Sequence, residues 1–457
     1  MSLHRSPLGF RQETRATLRL ALPLAAAQLA QVGMGITDTI MVGALGRDAL
    51  AAGGLGSGLF FATGAVLQGA LVGVGILVAH ARGAEQFDKI APILRAGAIL
   101  AMLIAAMMMP VFWFAEPILL ALGQPAPLAH DVAGYVRILI LCAPASMWLA
   151  VQRSYLAAMN HPRAVMVIGI GALLCNGVLN YALIHGVWGF PEMGLLGSAT
   201  ASAITIWTMA GAMAVAIRIT PDLRAHKLRG AIDWRLTAEL AHLGWPIAIT
   251  FGVEIVLFMV AALLMGTIST TALAAHNVTI NVASLTFMVP LAIAQAVNVR
   301  VGFHLGGQHP AAARQAAVVA LMLGIGFMIV MAVIMFTVPR QIALLFSLNP
   351  AVEADAAVIA LVAQLLVIAA VFQVFDGAQC IAAGALRGYK DTRVPMYLVT
   401  FGYWGVGFPI AWGLAFPGNM GAVGLWWGLA IALAAAAVVL GARLWRMSGR
   451  RIAESAA

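Results

Sequence analysis

The sequence predicts an all-α integral membrane protein with about twelve membrane-crossing helices in two similar bundles of six. Three observations carry this. First, 62% of the 457 residues are hydrophobic and only 9% are charged, whereas a soluble domain has roughly 45–50% apolar and about 25% charged residues. So few charges cannot solvate a surface, and the surplus apolar area must face lipid. Second, the apolar residues gather into twelve runs, each long enough to cross a hydrocarbon core of roughly 30 Å at about 1.5 Å rise per residue. Third, the second half of the chain repeats the first.

In chain order the runs are 17–43, 50–79, 92–115, 132–158, 163–187 and 194–218, then 236–266, 272–302, 311–337, 355–385, 393–416 and 420–445. The first opens after Arg5, Arg11, Arg15 and Arg19, and is too long for the apolar stretch of a cleavable signal peptide. Between runs the basic residues alternate. Arg82, Lys89, Arg95, then Arg153 and Arg163, then Arg218, Arg224, Lys227, Arg229 and Arg235 fall on one side with the N-terminus. Arg300 and Arg314, then Arg387, Lys390 and Arg393, then Arg443, Arg446, Arg450 and Arg451 continue the same set. Only Arg47, Arg137 and Arg340 belong to the other side, so 23 of 26 basic residues share one face. The positive-inside rule puts that face, with both termini, in the cytoplasm. The net charge of +9 is therefore a matter of topology and needs no nucleic-acid partner. Trp188, Trp234, Trp245 and Trp445 near span ends suit an aromatic belt.

The repeat is legible residue by residue. Pro23 recurs as Pro246, Gly43 as Gly266, Ala49-Leu50-Ala51-Ala52 as Ala272-Leu273-Ala274-Ala275 and Gly83 as Gly306, all at an offset of 223. Arg163 and Met166 match Arg393 and Met396 at 230, Phe190-Pro191 matches Phe416-Pro417 at 226, and Gly194 and Gly197 match Gly421 and Gly424 at 227. Six spans per half is an even number, so both halves enter from the same side and are expected to be related by a pseudo-two-fold axis along the membrane normal, an arrangement found in transporters. The expected organisation is an N-terminal lobe over 1–218, a charged cytoplasmic linker over 219–235 and a C-terminal lobe over 236–457. Pro23 and Pro246 fall early in the first helix of each half, where each removes a helix hydrogen bond and sets either a static bend or a hinge.

Of the 17 acidic residues, Asp38, Glu254 and Asp376 fall well inside apolar runs. A carboxylate there is paired, faces water, or binds protons or cations. Asp38 follows Gln31 by seven residues, on the same helix face. Asn176 and Asn180, at i and i+4, offer it a polar pocket. Gln373 and Gln379 flank Asp376, and Asn277 and Asn281, again at i and i+4, offer Glu254 and Asp376 a second pocket. Burial favours the neutral form of a carboxylic acid, which suits proton exchange, while carboxylates with amide oxygens also suit Na⁺, so a Na⁺ site at Glu254 and Asp376 stays open. The structural alternative is that each acid is a protonated, hydrogen-bonded packing residue, and the asparagines hold helices together.

Other chemistries are excluded. The three lysines are followed by Ile90, Leu228 and Asp391, so no phosphate-cradling Gly-Lys-Ser/Thr loop exists and no nucleotide is expected. No zinc signature or nucleophile elbow occurs, and no cofactor or enzymatic activity is expected. Cys142, Cys175 and Cys380 all lie in apolar runs as packing residues. His80, His185, His276 and His304 lack metal-site spacing.

The motifs carry a resemblance. The first run reads Pro23, Gln28, Asp38-Thr39 and Met41-Val42-Gly43-Ala44-Leu45-Gly46. The seventh carries Gly244-Trp245-Pro246 and Glu254. The tenth ends Asp376, Gly384-Ala385-Leu386-Arg387-Gly388, then Lys390-Asp391-Thr392-Arg393-Val394-Pro395. End to end, this resembles the multidrug and toxic compound extrusion (MATE) family, in its NorM-like branch. The resemblance implies a V-shaped pair of six-helix bundles in the bacterial inner membrane, acting as a monomer. It implies secondary active efflux of hydrophobic, often cationic drugs in exchange for Na⁺ or H⁺. Asp38 matches the family's acidic residue of the N-lobe, and Glu254 with Asp376 its acidic pair of the C-lobe. Phe372 stands one turn before Asp376 where NorM-like members often have tyrosine, so the aromatic face is kept and a hydroxyl is lost. A flippase for a lipid-linked substrate is the alternative. It would be expected to hold phosphates on cations deep in the cleft, and no Arg or Lys is placed deep in a run.

Overall fold

A computed structural model describes residues 9–226, 228–346 and 349–456; Arg5 and Lys227 of the charge pattern lie outside them. Among the described residues the chain is helical and holds no strand. The first half comprises α1 (Phe10–Gly43), α2 (Arg47–Gly69), α3 (Val72–Gly83), α4 (Ile90–Trp113), α5 (Ala115–Ala121), α6 (Ala126–Ile140), α7 (Ala143–Ala158), α8 (Pro162–His185) and α9 (Gly194–Ile219). After the short α10 (Pro221–Arg224) follow α11 (Trp234–Ile268), α12 (Thr270–Gly306), α13 (Pro310–Thr337), α14 (Pro339–Leu344), α15 (Glu353–Gly388), α16 (Arg393–Thr400), α17 (Phe408–Ala415) and α18 (Gly421–Ala456). Among the described residues eleven stretches are long and apolar enough to span, and the pair α6 and α7, bent by 50°, makes a twelfth when counted as one broken span.

The bend has a local cause. Pro144 sits in the first turn of α7, and its ring displaces the carbonyl four residues back, that of Ile140, where α6 ends. A similar clash falls between Pro409 and Gly405. There the chain between α16 and α17 widens into a π-helical stretch, Phe401–Gly407, and so crosses without a break. Pro23 and Pro246, by contrast, lie inside continuous helices.

The chain forms two compact units: Ala26–Ala248, and the start of the chain up to Ala25 together with Ile249–Ala457. The changeovers fall inside α1 and α11, just after Pro23 and Pro246, and not in the 219–235 connection. Within the first unit the opening of α11 seats on the junction of α2 and α3. Gly244 is what lets it, because a Cβ there would collide with the backbone of Ala70. In the other unit α15 is central, packed by α12, α13 and α18. Gly384 and Gly388 bring it onto α12: a Cβ on Gly384 would stand 2.5 Å from the Ala294 carbonyl, and one on Gly388 2.7 Å from Val301 Cβ. This close backbone approach fixes the part of α15 that carries Asp376.

The repeat is visible in the backbone. Left-handed residues recur at the sequence offsets: Glu85 (φ 58°) and Gln308 (φ 60°) are 223 apart, Asn160 (66°) and Lys390 (61°) 230 apart, Gly194 (52°) and Gly421 (54°) 227 apart. The first two pairs close their helices with the same bond, from the following N–H to the carbonyl five residues back: Gln86 to Ala81 and His309 to His304, each 2.8 Å, then His161 to Leu156 at 2.8 Å and Asp391 to Leu386 at 3.0 Å.

Candidate functional site

Asp38, near the end of α1, is 8% exposed. The Asn180 side-chain amide of α8 donates to its Oδ1 at 2.6 Å, and the Ser202 hydroxyl of α9 donates to its Oδ2 at 2.8 Å. The same amide also donates to the backbone carbonyl of Asn176 at 3.0 Å, which fixes its N–H₂ end toward the carboxylate. Asn176, buried one turn earlier on the same helix face, lies near the same carboxylate. Tyr135 of α6 lies within reach of the Asp38 charge. Its ring fits because α2 has glycine at position 56, where a Cβ would meet Tyr135 Cδ1 at 2.8 Å. Both oxygens therefore accept, as an ionised carboxylate does. A proton arriving here gives the carboxyl an O–H that needs an acceptor of its own. A serine hydroxyl can turn and accept, whereas an amide N–H₂ cannot, so the geometry favours protonation on the Ser202 side.

The second group belongs to the other unit. Asp376 is 6% exposed in the middle of α15, within the field of Glu254 on α11. Gln373, one turn before it, accepts from the Thr286 hydroxyl of α12 at 3.0 Å. The π-helical stretch brings in Tyr403, fully buried and within the field of both carboxylates. It is tied to α11 beside Glu254 by the Trp404 indole N–H, which donates to the Val253 carbonyl at 3.4 Å. Arg387 reaches Glu254 electrostatically from the end of α15, with its guanidinium 5.0 Å from the Phe251 ring centre. Phe372 is buried in an aromatic row, 6.1 Å from Phe258 and 5.4 Å from Trp426, whose other neighbour is His276 at 5.7 Å. Asp376 Oδ1, the Tyr403 hydroxyl, Gln373 Nε2 and the Trp426 indole N–H have no hydrogen-bond partner among the described residues. Such atoms cost about 1–3 kcal/mol each when left unmet; Asp376 Oδ1 and the Tyr403 oxygen suit a proton or a cation, whereas the two N–H groups are donors only and suit water. Among the described residues no three His, Cys, Asp or Glu side chains converge on one point. A Na⁺ ion at Glu254 and Asp376 would need amide, hydroxyl or backbone oxygens to complete its shell.

The MatE family model matches residues 23–182 and again 246–412. The chain belongs to the MatE family. The two matches within this MatE chain begin at Pro23 and Pro246, the same repeat read from the residues. The chain is 44% identical over 455 residues to a probable multidrug resistance protein NorM of Burkholderia mallei (strain ATCC 23344), covering 97% of each. It is 46% identical over 431 residues to a multidrug resistance protein NorM of Burkholderia vietnamiensis, covering 94% of this chain and 92% of that one. In fold it is similar to a crystal structure of MATE in the bent conformation (TM-score 0.87, 17% identity, 99% of this chain and 100% of that one). It is likewise similar to that of the eukaryotic MATE transporter AtDTX14 (TM-score 0.85, 22% identity, 98% and 100%).

Not every residue singled out in the sequence is gathered into these clusters. Gln31 stands two turns from Asp38 and accepts instead from Arg153 at 2.9 Å, as does Gln28. Asn277 and Asn281 lie on an exposed face of α12, where the Asn281 amide donates to the Asn277 carbonyl at 2.7 Å; His276, buried beside them, points the other way into the aromatic row. The sequence reading also singled out no buried ion pair. In the structure Arg300, near the end of α12, is only 7% exposed. It donates to both oxygens of Glu13, at 2.8 and 2.5 Å, with His304 against the same pair. Its partner comes from the first turn of α1, which no local spacing could disclose. Ser202 had a readable signal, the Ser198/Ser202 pair at i and i+4 on a helix whose other polar residues are three threonines and the terminal Arg218. Tyr403 had one only in Pro409 downstream of a glycine-rich stretch.

Proposed function

We propose that this MatE chain is a secondary active multidrug efflux antiporter of the NorM type, which exports hydrophobic, often cationic compounds in exchange for Na⁺ or H⁺ by alternating access. The observation that carries the reading is that each unit holds its own buried carboxylate site, with Asp38 in one and Glu254 with Asp376 in the other. Such groups at membrane depth are expensive and mark ion pathways. Asp38, with a serine able to exchange donor for acceptor, suits a proton. Glu254 and Asp376, with unmet polar atoms around them, suit a proton or a Na⁺ ion. Loading on one side of the membrane and release on the other, coupled to drug moving outward, uses both. Phe372 and Trp426 are buried in the aromatic row beside the acidic pair, and Phe258 is the member of that row exposed enough to meet a cationic ligand. The protein would work as a monomer in the bacterial inner membrane, termini in the cytoplasm, without a cofactor and without chemistry on its substrate.

The test is dye efflux in proteoliposomes under an imposed Na⁺ gradient or an imposed pH gradient, with wild type, Asp38→Asn and Asp376→Asn. Gradient-driven transport that both variants lose supports the reading, and the effective gradient names the ion. If neither gradient moves a broad panel of cationic dyes, antiport is excluded and lipid-linked substrates become the ones to examine.

A further inference from the structure

The final helix ends beside a cavity that the efflux reading does not use. It measures about 920 Å³ and is walled by the end of α15, by α16 and by the last third of α18. Its depth in the membrane follows from length. α18 has 36 residues, about 54 Å of helix, against a hydrocarbon core of roughly 30 Å. A helix entering near Gly421 leaves the core near Gly441, so Arg443 to Arg451 stand at the level of the headgroups. Trp445 agrees: it is 61% exposed and lies 3.6 Å from the Arg314 guanidinium, a pairing of the interface.

The cavity is two-faced. Lys390, Arg443, Arg446, Arg450 and Arg451 line its outer part against only Asp391 and Glu454. Arg443 is paired with Asp391 at 2.5 Å, and Arg450 and Arg451 share Glu454 at 2.8 and 3.5 Å. Arg446 is in none of these pairs, so positive charge is in excess. Tyr389 lines the same space. It is 6% exposed, its hydroxyl has no hydrogen-bond partner among the described residues, and the charges of Arg314 and Arg451 reach it. One turn and more toward the bilayer the walls become apolar, with Leu398 on α16 and Val438 and Val439 on α18, the last two 66% and 42% exposed.

We propose that this cavity is a binding site for an acidic phospholipid of the leaflet it faces. The phosphate sits among Arg446, Arg450 and the Tyr389 hydroxyl, and an acyl chain runs along Leu398, Val438 and Val439. A soluble anion would use the cations alone and leave the apolar half unexplained, whereas a lipid uses both, as basic pockets between membrane helices do.

Purified full-length protein in detergent tests this. The readouts are the thermal midpoint and the lipid retained in native mass spectrometry, with added phosphatidylglycerol, phosphatidylcholine or inorganic phosphate. Phosphatidylglycerol is expected to be retained and to raise the midpoint, and the other two are not. Arg446→Gln combined with Arg450→Gln is expected to weaken retention by roughly tenfold or more. Tyr389→Phe, which keeps the ring and the packing, is expected to lose a smaller part. An equal response to phosphatidylcholine, or the same retention by the double variant as by wild type, overturns the site. A midpoint shift with inorganic phosphate matching that with phosphatidylglycerol makes the ligand a free anion and overturns the lipid.

Discussion

The Asp38 carboxylate accepts from an amide on one oxygen and from a hydroxyl on the other, and the two donors predict different mutants. Ser202→Ala removes the partner that can reverse its hydrogen bond and leaves a buried acceptor unmet, at about 1–3 kcal/mol. It is expected to lower the thermal midpoint and, in efflux assays, to shift the pH dependence of transport. An unchanged pH profile would show that Asp38 does not take its proton there. The Glu13–Arg300–His304 cluster makes a second residue-scale prediction. Removing one member of a buried pair strands the other charge, so Arg300→Met or Glu13→Met is expected to lose about 3–5 kcal/mol. The double change Glu13→Met with Arg300→Met is expected to lose much less, since no charge is then stranded. Thermal unfolding of the four proteins in one detergent measures the difference, and additive losses would contradict the account.

At the scale of elements, composition and periodicity reveal what is local and hide what is paired across the chain. The twelve runs were legible because each is long and apolar. The alternation of basic residues was legible because charge stays out of the hydrocarbon core. The break in the fourth run and the widened turn in the eleventh are consequences of Pro144 and Pro409 that a reading for hydropathy passes over. Asp38, Asn176 and Asn180 could be associated in advance because each stands out as polar in an apolar run. Asn277 and Asn281 show the limit of that signal: i, i+4 spacing puts two side chains on one helix face without saying which face is buried. Glycine gives the element-scale test. On α15, Gly384→Ala places a Cβ 2.5 Å from the Ala294 carbonyl, whereas on α13 Gly326→Ala meets nothing within 4 Å. The first is expected to reduce folded yield and thermal midpoint. The second is expected to be neutral or to gain about 0.5–1 kcal/mol from helix propensity, as read by thermal unfolding. In the π-helical stretch, Pro409→Ala allows an ordinary α-helical turn and rotates Tyr403 away from the carboxylates. Efflux is expected to fall in that variant while the fold is kept.

Across the whole molecule the two halves share a backbone plan and have divided the chemistry. At the offset of 223 that relates α1 to α11, Glu254 corresponds to Gln31 and Asp38 to Ala261. The acids are therefore not copies of one ancestral site. Each half has placed its carboxylate at a different level of an equivalent helix, one turned to Asn180 and Ser202, the other to Asp376 and Tyr403. The equivalence of Pro23 and Pro246 is retained, and both fall where the chain passes from one compact unit to the other. The central claim is that these carboxylates, in both units, couple an ion gradient to drug export. The most direct measurement is gradient-driven dye efflux in proteoliposomes by the triple variant Asp38→Asn, Glu254→Gln, Asp376→Asn, beside wild type reconstituted at the same density. The account predicts that the triple variant transports no faster than protein-free vesicles leak. Efflux at the wild-type rate, still responding to the gradient, would contradict it.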